Sequence, residues 1–368
     1  MKALVLSGGG AHGAYEAGVA TALLQKERFD IICGVSIGAI NAALMSAGRF
    51  EDALEIFWRR EFPMRALQLF PHIPRLRRLI DHVGSIGHGN AWSDAMGVAR
   101  AASAIPFLSR LGEMHKVSLR NVAGALGAMV DLSKLHTSML AGATNASHAS
   151  AVVFRALVEP APAPAGGRLT EYRDLDADNF VMALLASSAM PGLFSPIELT
   201  FDGETNFYAD GCIVHTSPLG MAIDNGATEV TVVFVDCERD LKSAPAAFGL
   251  AELAYNIATL WQQRLLDYEL RFAQATNEIV RLGGAPGKRE ITIRSVRPES
   301  PLELDMLAFD DRKALARAFE LGAADGTRGP RVMLPGIPAP EPVAIETKPG
   351  IWESLRRLFP STAFKRSG

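Results

Sequence analysis

Cysteine is scarce in this chain: Cys33, Cys212 and Cys237 stand far apart among 368 residues, with no C-x-x-C pair. That excludes a disulfide framework and a cysteine zinc site, and it fits thiols kept reduced in a cytoplasmic protein. Net charge is small as well. Thirty-seven Lys and Arg against 40 Asp and Glu leave -3, which gives no electrostatic reason to expect a nucleic acid partner. No apolar run approaches the ~18 residues of a membrane span. Met1–Leu6 runs straight into glycines, so no secretory leader is expected. The histidines at 72, 82, 88 and 115 show no metal spacing such as H-E-x-x-H. No internal repeat is present.

Hydrophobic residues make up 48% of the chain and charged residues 21%, an ordinary globular balance. Lys2–Leu6 reads as a buried strand, Ser7–Gly13 as a glycine loop and Ala14–Gln25 as a helix. Phe29–Val35 is a second strand and Ile37–Ala47 a second helix. Strand–loop–helix–strand–turn–helix argues for parallel strands in an α/β sheet. Residues 51–135 read as a helical insertion interrupted by prolines. Strands are expected over 138–144, 151–158, 197–201, 206–209, 229–235 and 290–296, and helices over 180–189, 221–225, 248–278 and 310–321. The sequence predicts a catalytic domain over 1–330, then a proline-rich extension and amphipathic tail over 331–368.

Two constellations carry chemistry. Gly8-Gly9-Gly10-Ala11-His12-Gly13 lies between a strand and a helix, where successive backbone N–H groups gather beside a helix N-terminus. Such a loop holds a phosphate or a reaction oxyanion. It also satisfies the dinucleotide pattern G-x-G-x-x-G, which wants an acid at the end of the second strand. Asp30 stands at that strand's beginning instead. The second constellation, Gly34-Val35-Ser36-Ile37-Gly38, is a G-x-S-x-G between strand and helix, the context of a nucleophile elbow. In an α/β-hydrolase the elbow follows the fifth strand; here only one strand precedes it, so that architecture does not fit.

These motifs, with Asp210-Gly211-Cys212 before Ser217-Pro218 and the stretch Ala186-Ser187-Ser188-Ala189-Met190-Pro191-Gly192-Leu193-Phe194, resemble the patatin-like phospholipase family. The resemblance spans roughly residues 1–235. It implies a three-layer α/β/α fold with a mainly parallel sheet, Ser36 as nucleophile, Asp210 as its base, and N–H groups of Gly8, Gly9 and Gly10 as the oxyanion hole. Gly13, Gly34, Gly38 and Gly211 support the motifs. His12 stands where the family often has Arg or Lys, and Cys212 where Gly or Ala is usual. By the same resemblance the substrate is a phospholipid, lysophospholipid or other acyl ester, with no metal or organic cofactor.

A carboxylate within hydrogen-bond reach can deprotonate a serine without an intervening imidazole. Taken alone, Asp210 before glycine also reads as a turn residue. His215, near Asp210 in sequence, reads as a loop histidine. Basic amphipathic patches at Arg75, Arg77 and Arg78 and at Trp352, Leu355, Arg356, Arg357 and Phe359 suit either a solvated helix face or peripheral membrane contact. An acyltransferase using the same dyad and a non-catalytic lipid- or nucleotide-binding module are the alternatives.

Overall fold

The structure, a computed structural model, describes residues 1–49, 124, 126–160, 164, 170–190, 196–214, 219–237, 268–284, 286–304, 308–309 and 311–333. Most of the predicted helical insertion, His215, the basic patches and everything from 334 onward lie outside these residues. Among the described residues ten strands form one sheet: β1 Lys2–Leu6, β2 Ile31–Val35, β3 Ser138–Asn145, β4 Ser150–Ala156, β5 Thr170–Asp174, β6 Ile197–Phe201, β7 Glu204–Asp210, β8 Glu229–Val233, β9 Thr292–Val296 and β10 Arg331–Val332. Helices are α1 Gly13–Leu24, α2 Ile37–Ser46, α3 Phe180–Ser187, α4 Leu219–Asp224, α5 over 268–281 and α6 Arg312–Arg328.

The strand order is β10-β9-β8-β1-β2-β3-β4-β5, with β7 pairing both β3 and β6. From β9 to β3 every pairing is parallel. β3 then pairs antiparallel with β4 and β7, and the β6–β7 hairpin extends this wing. The fold is therefore the three-layer α/β/α arrangement with a mainly parallel, mixed sheet.

Alternation along β1 and β2 builds a core on each face. Leu4, Leu6 and Ile32 join α1, α2, α3 and α6 on one side. Ala3, Val5, Ile31, Cys33 and Val35 join α4 and α5 on the other. A strand covered on both faces needs apolar side chains at consecutive positions, which is why β1 and β2 read as unbroken apolar runs.

α1 departs from the stripe expected of Tyr15, Val19, Leu23 and Leu24. It is buried nearly all round. Gly18 lies against the Phe319 carbonyl, and Gly322 and Gly326 lie against carbonyls of Tyr15 and Val19, so α1 and α6 pack with no room for a Cβ at these positions. Tyr15 Oη donates to Asp325 Oδ2 at 2.7 Å inside that interface. α6 consequently runs seven residues beyond the predicted end at Leu321.

Candidate active site

The register of β3 explains how distant segments meet. One edge of β3 pairs with β4 along its whole length. The opposite edge is shared: β2 occupies it up to Val35↔Gly142, and β7 occupies it from Asp210↔Ala143. β2 runs parallel to β3 and β7 antiparallel, so both strands end at the same seam, facing each other. Ser36, the residue after β2, and Asp210, the last of β7, are thereby brought together across 174 positions of chain.

Ser36 adopts φ 57° and ψ -131°, a left-handed conformation that strains any residue bearing a Cβ. Its side chain makes no capping bond to α2. The turn closes so tightly that a Cβ on Gly34 would overlap the Gly38 carbonyl, and one on Gly38 would press on the Leu6 carbonyl. Both motif glycines flanking the serine are thus required by backbone contact. Gly211 is held in the same way, against the Gly142 carbonyl and Val35. Gly13 opens α1 with ordinary helical angles, φ -57° and ψ -17°.

Asp210 is fully buried. Its Oδ1 accepts the Cys212 N–H at 2.8 Å, whereas among the described residues Oδ2 has no hydrogen-bond partner. Burial raises the carboxyl above its ordinary range, against the lowering effects of the Cys212 amide and the nearby Ser36 side chain. Cys212 is partly buried, and burial with the adjacent Asp210 raises its thiol.

The glycine loop follows β1 with Gly8, Gly9 and Gly10 at φ 82°, 123° and 58°. Gly8 lies against the elbow: a Cβ there would overlap the Val35 carbonyl and stand 3.3 Å from Ser36 Cβ. The three amides are not equivalent. Gly8 N–H donates to Glu16 Oε1 at 2.7 Å, so it is committed inside the protein. Among the described residues nothing accepts the N–H of Gly9 or Gly10. His12 Nε2 lies 2.6 Å from the Leu304 carbonyl, which can only accept, so the hydrogen is on Nε2 and the ring ties the loop to the segment before α6.

Two residues without an assigned role in the sequence reading belong to this centre. Glu16, fully buried in α1, accepts from Gly8 N–H and from Ser7 Oγ at 3.3 Å, and burial lifts its carboxyl to about 8. The available signal was an acid alone in an otherwise uncharged, small and apolar helix. Ser187, at the end of α3, accepts the Ser36 N–H at 3.1 Å. It lies in a stretch already singled out.

Among the described residues no three His, Cys, Asp or Glu side chains gather as metal ligands, and no helix is long and apolar enough to cross a membrane. A cavity of about 640 Å³ beside Leu219, Phe272 and Ile291 lies before β8 and β9, at the opposite end of the parallel strands from Ser36.

The family model described as Patatin-like phospholipase matches residues 4–223. No curated protein matches the chain. Among solved structures, VipD from Legionella pneumophila is similar at 13% identity and a TM-score of 0.37, over 89% of this chain and 66% of that one. ExoU from Pseudomonas aeruginosa, solved in complex with SpcU, is similar at 21% identity and a TM-score of 0.19, over 42% of this chain and 34% of that one. The chain thus spans under two thirds of either protein.

Proposed function

The chain belongs to the patatin-like phospholipase family, and from that premise we propose that it hydrolyses lipid acyl esters through an acyl-Ser36 intermediate, with Asp210 as the base. The observation that carries this reading is the seam on β3. It brings a strained serine to a buried carboxylate whose Oδ2 has no other partner among the described residues.

In the proposed reaction Ser36 Oγ attacks the ester carbonyl while Asp210 Oδ2 takes the hydroxyl proton. A carboxyl raised by burial is a stronger base than a solvated aspartate and is better matched to a serine. The tetrahedral oxyanion is received by the N–H groups of Gly9 and Gly10. Gly8, whose amide is given to Glu16, shapes the loop instead of donating. Losing one such donor typically costs ~3 kcal/mol of transition-state stabilisation. Collapse expels the alcohol, which recovers the proton from Asp210. Water then attacks the acyl-enzyme with Asp210 again as base, releasing the fatty acid and free Ser36.

The same reading assigns the residues through β10, 1–333, to the catalytic domain and the remainder to an extension that aids contact with lipid surfaces. The test is a fluorophosphonate probe followed by peptide mapping, alongside an ester and phospholipid panel on wild type and Ser36→Ala. One adduct on Ser36, and hydrolysis lost in the variant, is the expected result. An adduct on another residue, or no adduct on folded protein, overturns the proposal.

A further inference from the structure

β2 and β7 end at one seam, yet they share no ladder with each other; each is hydrogen-bonded to β3 and to its own outer neighbour. The shared edge of β3 sets their approach, but Ser36 lies one residue beyond β2 and outside that ladder. The C-terminal end of α3 crosses the seam. Ser187 is fully buried there, and its Oγ uses both of its capacities: it accepts the Ser36 N–H at 3.1 Å and donates to the Gly142 carbonyl at 2.7 Å. Two residues on, the Ala189 carbonyl accepts the Asp210 N–H at 2.9 Å. Gly142 is the β3 residue opposite Val35, and the same carbonyl is the surface against which Gly211 packs. One short stretch thus grips the backbone of both Ser36 and Asp210.

We infer that Ser187 is a positioning residue that sets the distance between Ser36 and Asp210. The inference rests on the function proposed above. An unusual backbone conformation such as that of Ser36 persists only where its surroundings over-determine it, and the amide of Ser36 itself is the atom Ser187 holds. Without the hydroxyl, the Ser36 N–H and the Gly142 carbonyl lose a partner in a buried place, and the turn is free to relax toward an ordinary conformation. Ser36 Oγ then moves relative to Asp210 Oδ2, and misplacement by about 1 Å is enough to cost roughly a hundredfold in rate.

The sequence supplies its own control. Ser188 follows immediately, but its hydroxyl donates at 3.1 Å to the Leu184 carbonyl within α3. The experiment compares wild type, Ser187→Ala, Ser187→Cys and Ser188→Ala on a soluble ester, with kcat expressed per fluorophosphonate-titrated site so that unfolded protein is not counted. The expected result is a fall in kcat of roughly ten- to a hundredfold for Ser187→Ala, with KM within about twofold. Ser187→Cys, of similar size but a weak donor and acceptor, should fall between that variant and wild type. Ser188→Ala should match wild type.

The second-order rate of probe attachment should drop in the same order while the adduct stays on Ser36. If Ser187→Ala yields no folded protein, Ser187→Cys decides alone: kcat per site below wild type supports the inference, and kcat equal to wild type overturns it. A Ser187→Ala variant with wild-type kcat per site, or a Ser188→Ala variant equally impaired, overturns it as well. These outcomes are separate from failure of the proposed function, which would show as wild-type protein that is not labelled on Ser36.

Discussion

The parallel half of the sheet and its antiparallel wing are built by different rules, and the candidate site lies where they join. β1 and β2 are buried at almost every position and covered by helices on both faces. In the wing, β6 alternates, with Ile197, Leu199 and Phe201 inward and Glu198 and Thr200 outward. Its inner face is an aromatic cluster in which Phe154 stacks on Phe201 at 5.6 Å and Tyr208 meets both rings. The parallel half supplies strain: the elbow and glycine loop are turns that only close packing can hold. The wing supplies a carboxylate on the end of an ordinary hairpin strand. Damage in the first should therefore reach folding and chemistry together, and damage in the outer wing should reach folding alone.

The largest expected effect tests whether the two halves act as one unit. Ser36→Ala and Asp210→Asn should each lower kcat by at least about a thousandfold, and the double variant should be scarcely worse than either. Asp210→Asn should melt no lower than wild type at neutral pH, because it replaces a fully buried carboxyl whose charged form burial disfavours. Steady-state kinetics and thermal melts on the three variants decide it. A folded Asp210→Asn enzyme retaining a tenth of wild-type kcat would separate the wing from the chemistry.

Next comes Glu16, in the parallel half. Its folded carboxyl titrates near 8, above the ordinary value of 4.5. A raised carboxyl keeps its proton in the native state after the unfolded chain has lost its own. The associated stability is complete below about pH 4.5 and is lost as pH rises toward 8, at a slope approaching about 1.4 kcal/mol per pH unit. Asp210, raised by the same cause, contributes in the same direction. Melts between pH 5 and 8 should show wild type weakening with pH and Glu16→Gln weakening less. Parallel curves for the two proteins would mean that Glu16 is ionised throughout.

A matched pair of glycines gives the third test. Gly34→Ala puts a methyl into the backbone of Gly38 and Ala39, and should cost about 3 kcal/mol or more together with most activity. Gly203→Ala, at the tip of the β6–β7 hairpin with φ 80° and open space around it, should cost about 1 kcal/mol and leave kcat per titrated site unchanged. Chemical denaturation and active-site titration measure both. Equal losses of activity would erase the distinction between the two regions.

Legibility in the sequence follows the same division. The parallel strands could be read because burial on both faces demands consecutive apolar residues, and the motifs because glycine density marks backbone contact. β5 went unread: Thr170-Glu171-Tyr172-Arg173-Asp174 is a half-exposed edge strand whose charged side chains bond to polar groups such as Ser150, Arg155 and Asp202, while Tyr172 packs on the core. The wing's antiparallel pairing was also not foreseen, since strand direction depends on connections and not on local pattern. α6 continues past its expected end at Leu321, and Gly322 is there to admit the backbone of α1. Arg331 and Val332, read as the start of an extension, pair with β9 as the last strand. Ser36 and Asp210 could be named from motif and order. Their meeting depends on the shared edge of β3, which is a matter of register. Glu16 and Ser187 reach this centre through hydrogen bonds to backbone, which leave no spacing to recognise.

The smallest effect is expected farthest out in the wing. Arg155 on β4 is buried to 3% exposure, and its Nε and Nη2 bind Asp174 Oδ1 and Oδ2 at 2.7 and 3.0 Å, a bidentate pair at the β4–β5 edge. Asp174 itself is 67% exposed. Asp174→Asn keeps one acceptor and the side-chain shape but loses the charge, and solvent at the exposed partner takes up part of what the carboxylate did. The cost should then be about 1 kcal/mol, near that of a well-formed surface pair and below that of a fully buried one. Salt provides an internal check, because screening weakens the charged pair and leaves the amide little affected. Denaturation at low and high ionic strength should show the wild-type advantage shrinking as salt rises. Through all of this kcat per titrated site should stay within experimental error of wild type, since β4 is hydrogen-bonded to β3 and to neither strand that ends at the seam. A tenfold loss of kcat in a folded Asp174→Asn protein would mean that the wing transmits its edge to Asp210, and that the two regions are one mechanical unit.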